Sequence, residues 1–254
     1  MFSTLWGDVR KSLEKIGDYG MFSARALQTL FQQPPKYRDI IDQLDSLGVQ
    51  SLVILIATGL FVGMAITLIL EAEMDIYGAK VYIGRMLAVA TVRELAPVFT
   101  ALMLAGRVGA RIASELGSMR VTQQIDSIEG LGQDPMQKLV APRLLALLIM
   151  VPALTMVVNL ITLLGGFLVS SVSPGTFWFE ARKAFVPRHL VGGLLKPFVF
   201  GYIIATVSCF LGMRAAQGVR GVGEASARAV VNSSVLVFLA NYIVGFIVLK
   251  IFGV

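Results

Sequence analysis

Several ionisable side chains interrupt or directly follow long apolar runs in this sequence, and each is a candidate for chemistry. Arg93 and Glu94 stand inside the apolar run 86–106, Lys196 near the start of the run 194–213, and Glu71 and Glu73 just after the run 49–70. A charge in a low-dielectric setting costs a few kcal/mol unless paired or hydrated, so such residues face a protein interior or a water-filled cavity. Arg93 and Glu94 are neighbours in sequence and point about 100° apart on a helix, so their partners come from other runs, such as Glu71 or Lys196. Two readings follow. One is a polar patch in a cavity that meets a charged head group. The other is a structural interhelical ion pair, or snorkelling at a membrane interface. Spacing alone supports both.

Other chemistries lack their residues. No G-x-x-x-x-G-K-[ST] phosphate loop occurs, so this chain does not hold ATP in that way. Gly218, Gly221 and Gly223 have the wrong order for a dinucleotide fingerprint and read as turn glycines. His189 is the only histidine, which removes a histidine metal cluster and makes a Ser-His-Asp triad unattractive. The single cysteine, Cys209, forms no internal bridge. No metal or cofactor bound by this chain, and no catalytic residue, is expected.

The elements that carry these residues follow from the composition. Of 254 residues 56% are hydrophobic and only 15% charged, with a mean hydropathy of +0.76. Soluble proteins average about 45–50% apolar and about 25% charged residues, so this is an integral membrane protein. About 20 apolar residues cross a bilayer as a helix. The runs 49–70, 86–106, 144–171, 194–213 and 229–250 predict five transmembrane helices in an all-α fold, with the third tilted or kinked at Pro152. Alternate loops then carry 14 Lys and Arg on the side of the N-terminus and five on the other. That bias places the N-terminus in the cytoplasm and the C-terminus outside. The net charge of +6 is therefore a membrane-orientation signal, and nucleic acid is not an expected partner.

No signal-peptide pattern precedes the first span. Phe2, Leu5, Trp6, Val9, Leu13 and Ile16 instead recur at three- and four-residue steps with charges between them, the pattern of an amphipathic helix in the membrane interface. A helix packed on protein is the alternative. Pro34-Pro35 separates it from a second amphipathic stretch, 37–47. Residues 1–48 are read as an interfacial elbow and 49–254 as the transmembrane bundle of a single domain.

Between spans 2 and 3, Val121, Ile125, Ile128 and Leu131 form an apolar stripe. Thr122, Gln123, Gln124, Asp126, Ser127 and Glu129 occupy the rest. Glycines and Pro135 bound it as a short cytoplasmic helix over 121–131. Its neutral-to-acidic polar face suits a protein partner better than an anionic inner leaflet.

The run Val92-Arg-Glu-Leu-Ala-Pro97, followed by the stretch from Ala105 to Asp126 (AGRVGARIASELGSMRVTQQID), resembles the MlaE/YrbE family of permeases. Asp134-Pro135, Pro142-Arg143, Ser173-Pro-Gly175, the stretch from Lys196 to Gly201 and the stretch from Gly221 to Val231 also match. One position departs: Gln123 stands where the family usually shows Glu, which removes a charge from the partner-facing helix. The resemblance implies the permease of an ABC-type phospholipid transporter of a Gram-negative inner membrane, moving lipid between inner and outer membranes to keep outer-membrane asymmetry. It implies a homodimer, a cytoplasmic ATPase that holds ATP and Mg, a periplasmic ring of MCE-domain subunits and, in some systems, a STAS-domain protein bound through the ATPase. The loop helix, from Val121 to Glu129, becomes the coupling helix. Arg93, Glu94 and Lys196 become lipid-cavity residues, with Tyr77 and Glu71 in the same region. Two other classes compete with this one. An ion-coupled secondary transporter would show internal pseudo-repeats or broken helices, and five spans divide badly into halves. A membrane anchor or scaffold would not need buried charges.

Overall fold

The computed structural model describes residues 2–32 and 35–252. The side chains of residues 2–12, with Phe2, Leu5, Trp6 and Val9 of the predicted interfacial stripe, lie outside the described ones, as does Pro34. All regular elements among the described residues are helical, and five helices are long and apolar enough to cross a membrane.

Helix α1 (Phe2–Gln32) precedes the bundle. The first span, Tyr37–Ile76, joins α2 (Tyr37–Gln43) through a π turn and a 3-10 turn to α3 (Leu52–Ile76). The second, Lys80–Val121, strings together α4 (Ile83–Ala90), α5 (Ala96–Leu104) and α6 (Ala110–Val121). Two π turns, Thr91–Leu95 and Ala105–Gly109, make its joints. A short helix, α7 (Gln124–Gly130), connects it to the third span, Met136–Val169, which consists of a π turn and α8 (Ala141–Val169). Helix α9 (Pro174–Arg182) crosses the other end of the bundle and packs on α4. Helices α10 (Pro187–Met213) and α11 (Gly218–Phe252) complete the set.

The first, second and fifth spans outrun their apolar runs by ten residues or more. The second is 42 residues long, twice its apolar stretch. Hydropathy marks only the part that lipid can cover, whereas helical hydrogen bonding continues until a breaker ends it. Here the breakers are Gly78, with φ of 61°, and Gln123, with φ of 57°. Pro152 lies buried within α8, which runs unbroken in its assignment from 141 to 169.

Helix α10 is the centre of the bundle, touching α8, α6 and α11, while α3 packs on the far side of α8. The α3–α8 contact is set by small residues. A Cβ placed on Gly63 would stand 2.0 Å from the Thr162 carbonyl oxygen, and one on Gly165 would stand 2.3 Å from that of Leu60. The two backbones therefore meet directly, the close approach that small residues permit between membrane helices. The Gly59-x-x-x-Gly63 pair thus serves packing inside the protomer.

Helix α1 is packed on protein over its second half. Asp18 pairs with Arg214 at 2.8 Å, the Tyr19 and Thr206 hydroxyls lie 2.8 Å apart, and Ser23 meets Tyr202 at 2.5 Å. Phe22 and Tyr19 set their rings edge-on to Phe210. Ala26 is buried, and burial pushes the Tyr19 phenol above its ordinary pKa. Leu13, Ile16, Met21 and Phe31 stay exposed on the opposite side, so the same helix keeps an apolar face free.

The glycine seam is testable. Gly63→Ala is expected to destabilise the protein by about 1–3 kcal/mol through overpacking. Gly59→Ala is expected to leave it near wild type, because its Cβ would stand an ordinary 3.4 Å from Thr162 Oγ1 and Val158. Thermal unfolding of the two variants in detergent checks the contrast; equal midpoints would show that the seam is loose.

Candidate functional site

The spans bring Glu94 and Lys196 together. Lys196 is 2% exposed, and its Nζ donates to Glu94 Oε1 at 2.6 Å and to the backbone carbonyl of Arg93 at 3.0 Å. From α11, Asn241 donates its Nδ2 to Glu94 Oε2 at 3.0 Å. Gly245, one turn further along α11, lies beside the ammonium, where a Cβ would stand an ordinary 3.7 Å from Nζ.

Local backbone chemistry explains why that carbonyl is available. Pro97 has no N–H, so the carbonyl four residues earlier, that of Arg93, lacks its α-helical donor. The π turn Thr91–Leu95 lies over the same stretch and displaces the backbone; such turns recur at functional sites. The neighbouring Val92 carbonyl would meet a Cβ on Gly193 at 2.4 Å, so α10 runs hard against this turn. Lys196, three residues on, then lands on the freed acceptor. Val92 faces Gly193 and Ala113 faces Gly212, so span 2 and α10 run parallel over this length.

The cluster is enclosed on one side and open on the other. The Glu94 side chain is 48% exposed while its partner's is 2% exposed. The Arg93 guanidinium is partly exposed and has no hydrogen bond or ion pair among the described residues. The Asn241 Oδ1 is buried without a partner. On the side of span 2 that faces α3 and α8, a small apolar cavity of about 10 Å³ is lined by Leu55, Val62, Leu95 and Phe99.

Glu71 and Tyr77 take no part in this cluster. Glu71 accepts from the backbone N–H and hydroxyl of Ser171, which ties the end of α3 to the segment after α8. Tyr77, just past α3, is 74% exposed. The residues that sequence reasoning missed are Asn241, Pro97 and Gly245. An amide alone in an apolar run is a recognisable glue residue, and a proline three positions after a buried charge signals a freed carbonyl.

The second region lies at the opposite end. The loop helix is shorter than expected. Val121 is the last residue of α6, Thr122 and Gln123 form the turn, and α7 begins at Gln124. Gln123 adopts the left-handed conformation, a costly one for a non-glycine residue, and that reversal separates α7 from the span. Ile125 is buried against the bundle and Ile128 packs beside it, whereas Leu131 is 78% exposed and leaves the expected stripe. Thr122, Gln123, Gln124, Asp126, Ser127 and Glu129 are exposed. Asp126 pairs with Arg120, so α7 is fastened to α6. A buried Arg143, bonded to Glu115 at 3.1 Å and to the Leu139 carbonyl at 2.7 Å, joins the two helices that flank α7.

The chain matches known proteins over most of its length. The family model described as Permease MlaE matches residues 40–247. A probable ABC transporter permease protein of Rickettsia bellii is 35% identical over 235 residues, covering 91% of each chain. The intermembrane phospholipid transport system permease protein MlaE of Haemophilus influenzae is 32% identical over 209 residues, covering 80% of each. The chloroplastic protein TRIGALACTOSYLDIACYLGLYCEROL 1 of Arabidopsis thaliana is 36% identical over 211 residues, 82% of this chain and 60% of that one. With five membrane helices and a family match across most of its length, the chain belongs to the MlaE family of ABC transporter permeases.

Proposed function

We propose that this chain is the membrane subunit of an ATP-driven phospholipid transporter in a Gram-negative inner membrane, exchanging lipid with the outer membrane to keep that membrane asymmetric. The observation that carries the reading is the Glu94–Lys196 pair, held inside an apolar bundle with its acidic member half open. The half-open carboxylate leaves the pair within reach of a ligand at the bundle surface. An open carboxylate beside an unpaired arginine is suited to a polar head group.

In this reading the N-terminus is cytoplasmic and the C-terminus periplasmic. The chain forms a homodimer whose cavity lies between protomers, opens outward and faces a periplasmic MCE-domain ring. Helix α7 docks on a cytoplasmic ATPase that binds ATP and Mg, with a STAS-domain protein reached through it. Closure of the ATPases pushes on α7. The Arg120–Asp126 and Arg143–Glu115 pairs pass that load to α6 and α8, and the gap between protomers changes. Lys196 is bonded to Glu94 and to the Arg93 carbonyl, so it shapes the cavity through Glu94 while Arg93 meets the phosphate.

Two experiments test this. Removing only one member of a buried pair leaves an uncompensated charge and costs about 3–5 kcal/mol, whereas replacing both is often neutral. The double variant Glu94→Gln with Lys196→Met is therefore expected to fold. Lipid transfer to acceptor vesicles is expected to fall about tenfold, roughly 1.4 kcal/mol of lost interaction; wild-type transfer would remove the pair from the lipid path. Asp126→Arg is expected to release the ATPase while the permease stays in the membrane. Undiminished co-purification of an ATPase with that variant would take α7 out of the coupling role.

A further inference from the structure

Helix α9 has no part in the proposed transport step, and its two faces differ sharply in chemistry. Ser173 caps its first turn by accepting from the Thr176 N–H, and Pro174 brings a preset φ to the first helical position. The inner face buries Phe177 and Ala181, and Ala184 just past the helix joins them in a hydrophobic cluster with Ile83 and Leu87 of α4. The fit is close: a Cβ on Gly84 would stand 2.3 Å from the Phe177 carbonyl oxygen. Glu180, the only acid of the helix, is 4% exposed and takes the Lys183 ammonium. The outer face carries Trp178, Phe179, Arg182 and Lys183, all exposed. Lys183 Nζ lies 4.4 Å from the centre of the Phe179 ring, and Arg182 has no ion pair among the described residues. This face continues the outer wall of the bundle. Trp178 sets its ring 5.6 Å from that of Phe167 on α8, where Leu160, Leu164 and Leu168 form an exposed apolar stripe at four-residue steps.

We infer that α9 is a membrane-surface anchor whose outer face lies in the head-group region of the leaflet at its end of the bundle. Trp178 and Phe179 sit in the apolar boundary, and Arg182 meets lipid phosphates. Amphipathic rings concentrate at that depth, and basic side chains beside them face the anionic layer. Two observations favour lipid over a protein partner. The α8 stripe runs along a membrane helix to the tryptophan, so the aromatic and basic face begins where the purely apolar wall ends. With Glu180 buried, the outer face of α9 offers no carboxylate to repel phosphate. The anchor bears on the candidate site, because α4, on which α9 is seated, runs directly into the π turn that holds Arg93 and Glu94. Lipid that holds α9 thereby holds one end of that turn.

The chain has two tryptophans, so Trp6→Phe leaves Trp178 as the sole indole reporter. The test uses that full-length variant in nanodiscs of phosphatidylcholine and phosphatidylglycerol, with bromine on the phosphatidylcholine chains. Bromines near the head of the chains are expected to lower Trp178 emission about twofold, at the roughly 5–10 Å depth of an interfacial helix. Bromines near the chain ends should quench less, and aqueous acrylamide should quench weakly. Phe179→Ser with Arg182→Glu, introduced at exposed positions and checked by monodisperse elution, should raise acrylamide quenching about twofold by releasing the face. Free access to acrylamide without quenching by either bromolipid would overturn the inference and place α9 in water, open to a protein. Stronger quenching by the deep bromines than by the shallow ones would overturn it as well, as would full protection of Trp178 in the double variant. Lipid transport stands or falls separately, since it does not depend on where α9 lies.

Discussion

A lysine ammonium buried among apolar helices depends on the protein for its hydrogen-bond partners. That requirement organises the middle of this molecule. Lys196 obtains a carboxylate from span 2, and it obtains a carbonyl only because Pro97 withholds an N–H and a π turn shifts the backbone. Gly193 clears the space for the approach. Asn241 holds the carboxylate from the third side. Three helices are thereby registered against one another at a single level, and displacing any of them exposes an unsatisfied charge. The pair stabilises little in net terms, since desolvation offsets most of the attraction. Its structural value is specificity of register.

The sequence made the spans and the charged residues legible for the same reason. Lipid tolerates so few charges that Arg93, Glu94 and Lys196 stand out against apolar runs. Pairing across helices was legible as well, because adjacent residues on a helix diverge. Which acceptor and which third helix completed the set was not, since a π turn leaves no residue signature and changes the facing of everything beyond it. The direction of the Gly59–Gly63 face was equally hidden: a small-residue pattern permits close approach without naming the partner, and the partner is α8. The start of α7 was misplaced by three residues. Apolar periodicity runs continuously through Val121 and Ile125, but the left-handed Gln123 interrupts the helix between them.

The N-terminal helix runs on past the amphipathic stretch and meets protein with its second half. Residues 18–26 of α1 pack on α10 through hydroxyls, aromatic edges and an ion pair. The opposite face keeps Leu13, Ile16, Met21 and Phe31 exposed. A helix of 31 residues is long enough to serve a protein contact over one stretch and an apolar environment over another. Arg25 also reaches Asp134 in the segment after α7, so α1 spans the distance between that segment and α10.

Helix α10 carries Lys196 near one end and Arg214 just past the other, and α1 grips it between Tyr202 and Arg214. Eighteen residues at helical rise separate the two charged positions by about 27 Å. A rigid rod of that length is a lever. A tilt of roughly 2° about its gripped end moves the ammonium by about 1 Å, enough to carry a good hydrogen bond out of range. In the proposed transport cycle, motions at that end too small to repack the bundle would be magnified into a discrete change at Lys196: bond made or bond broken.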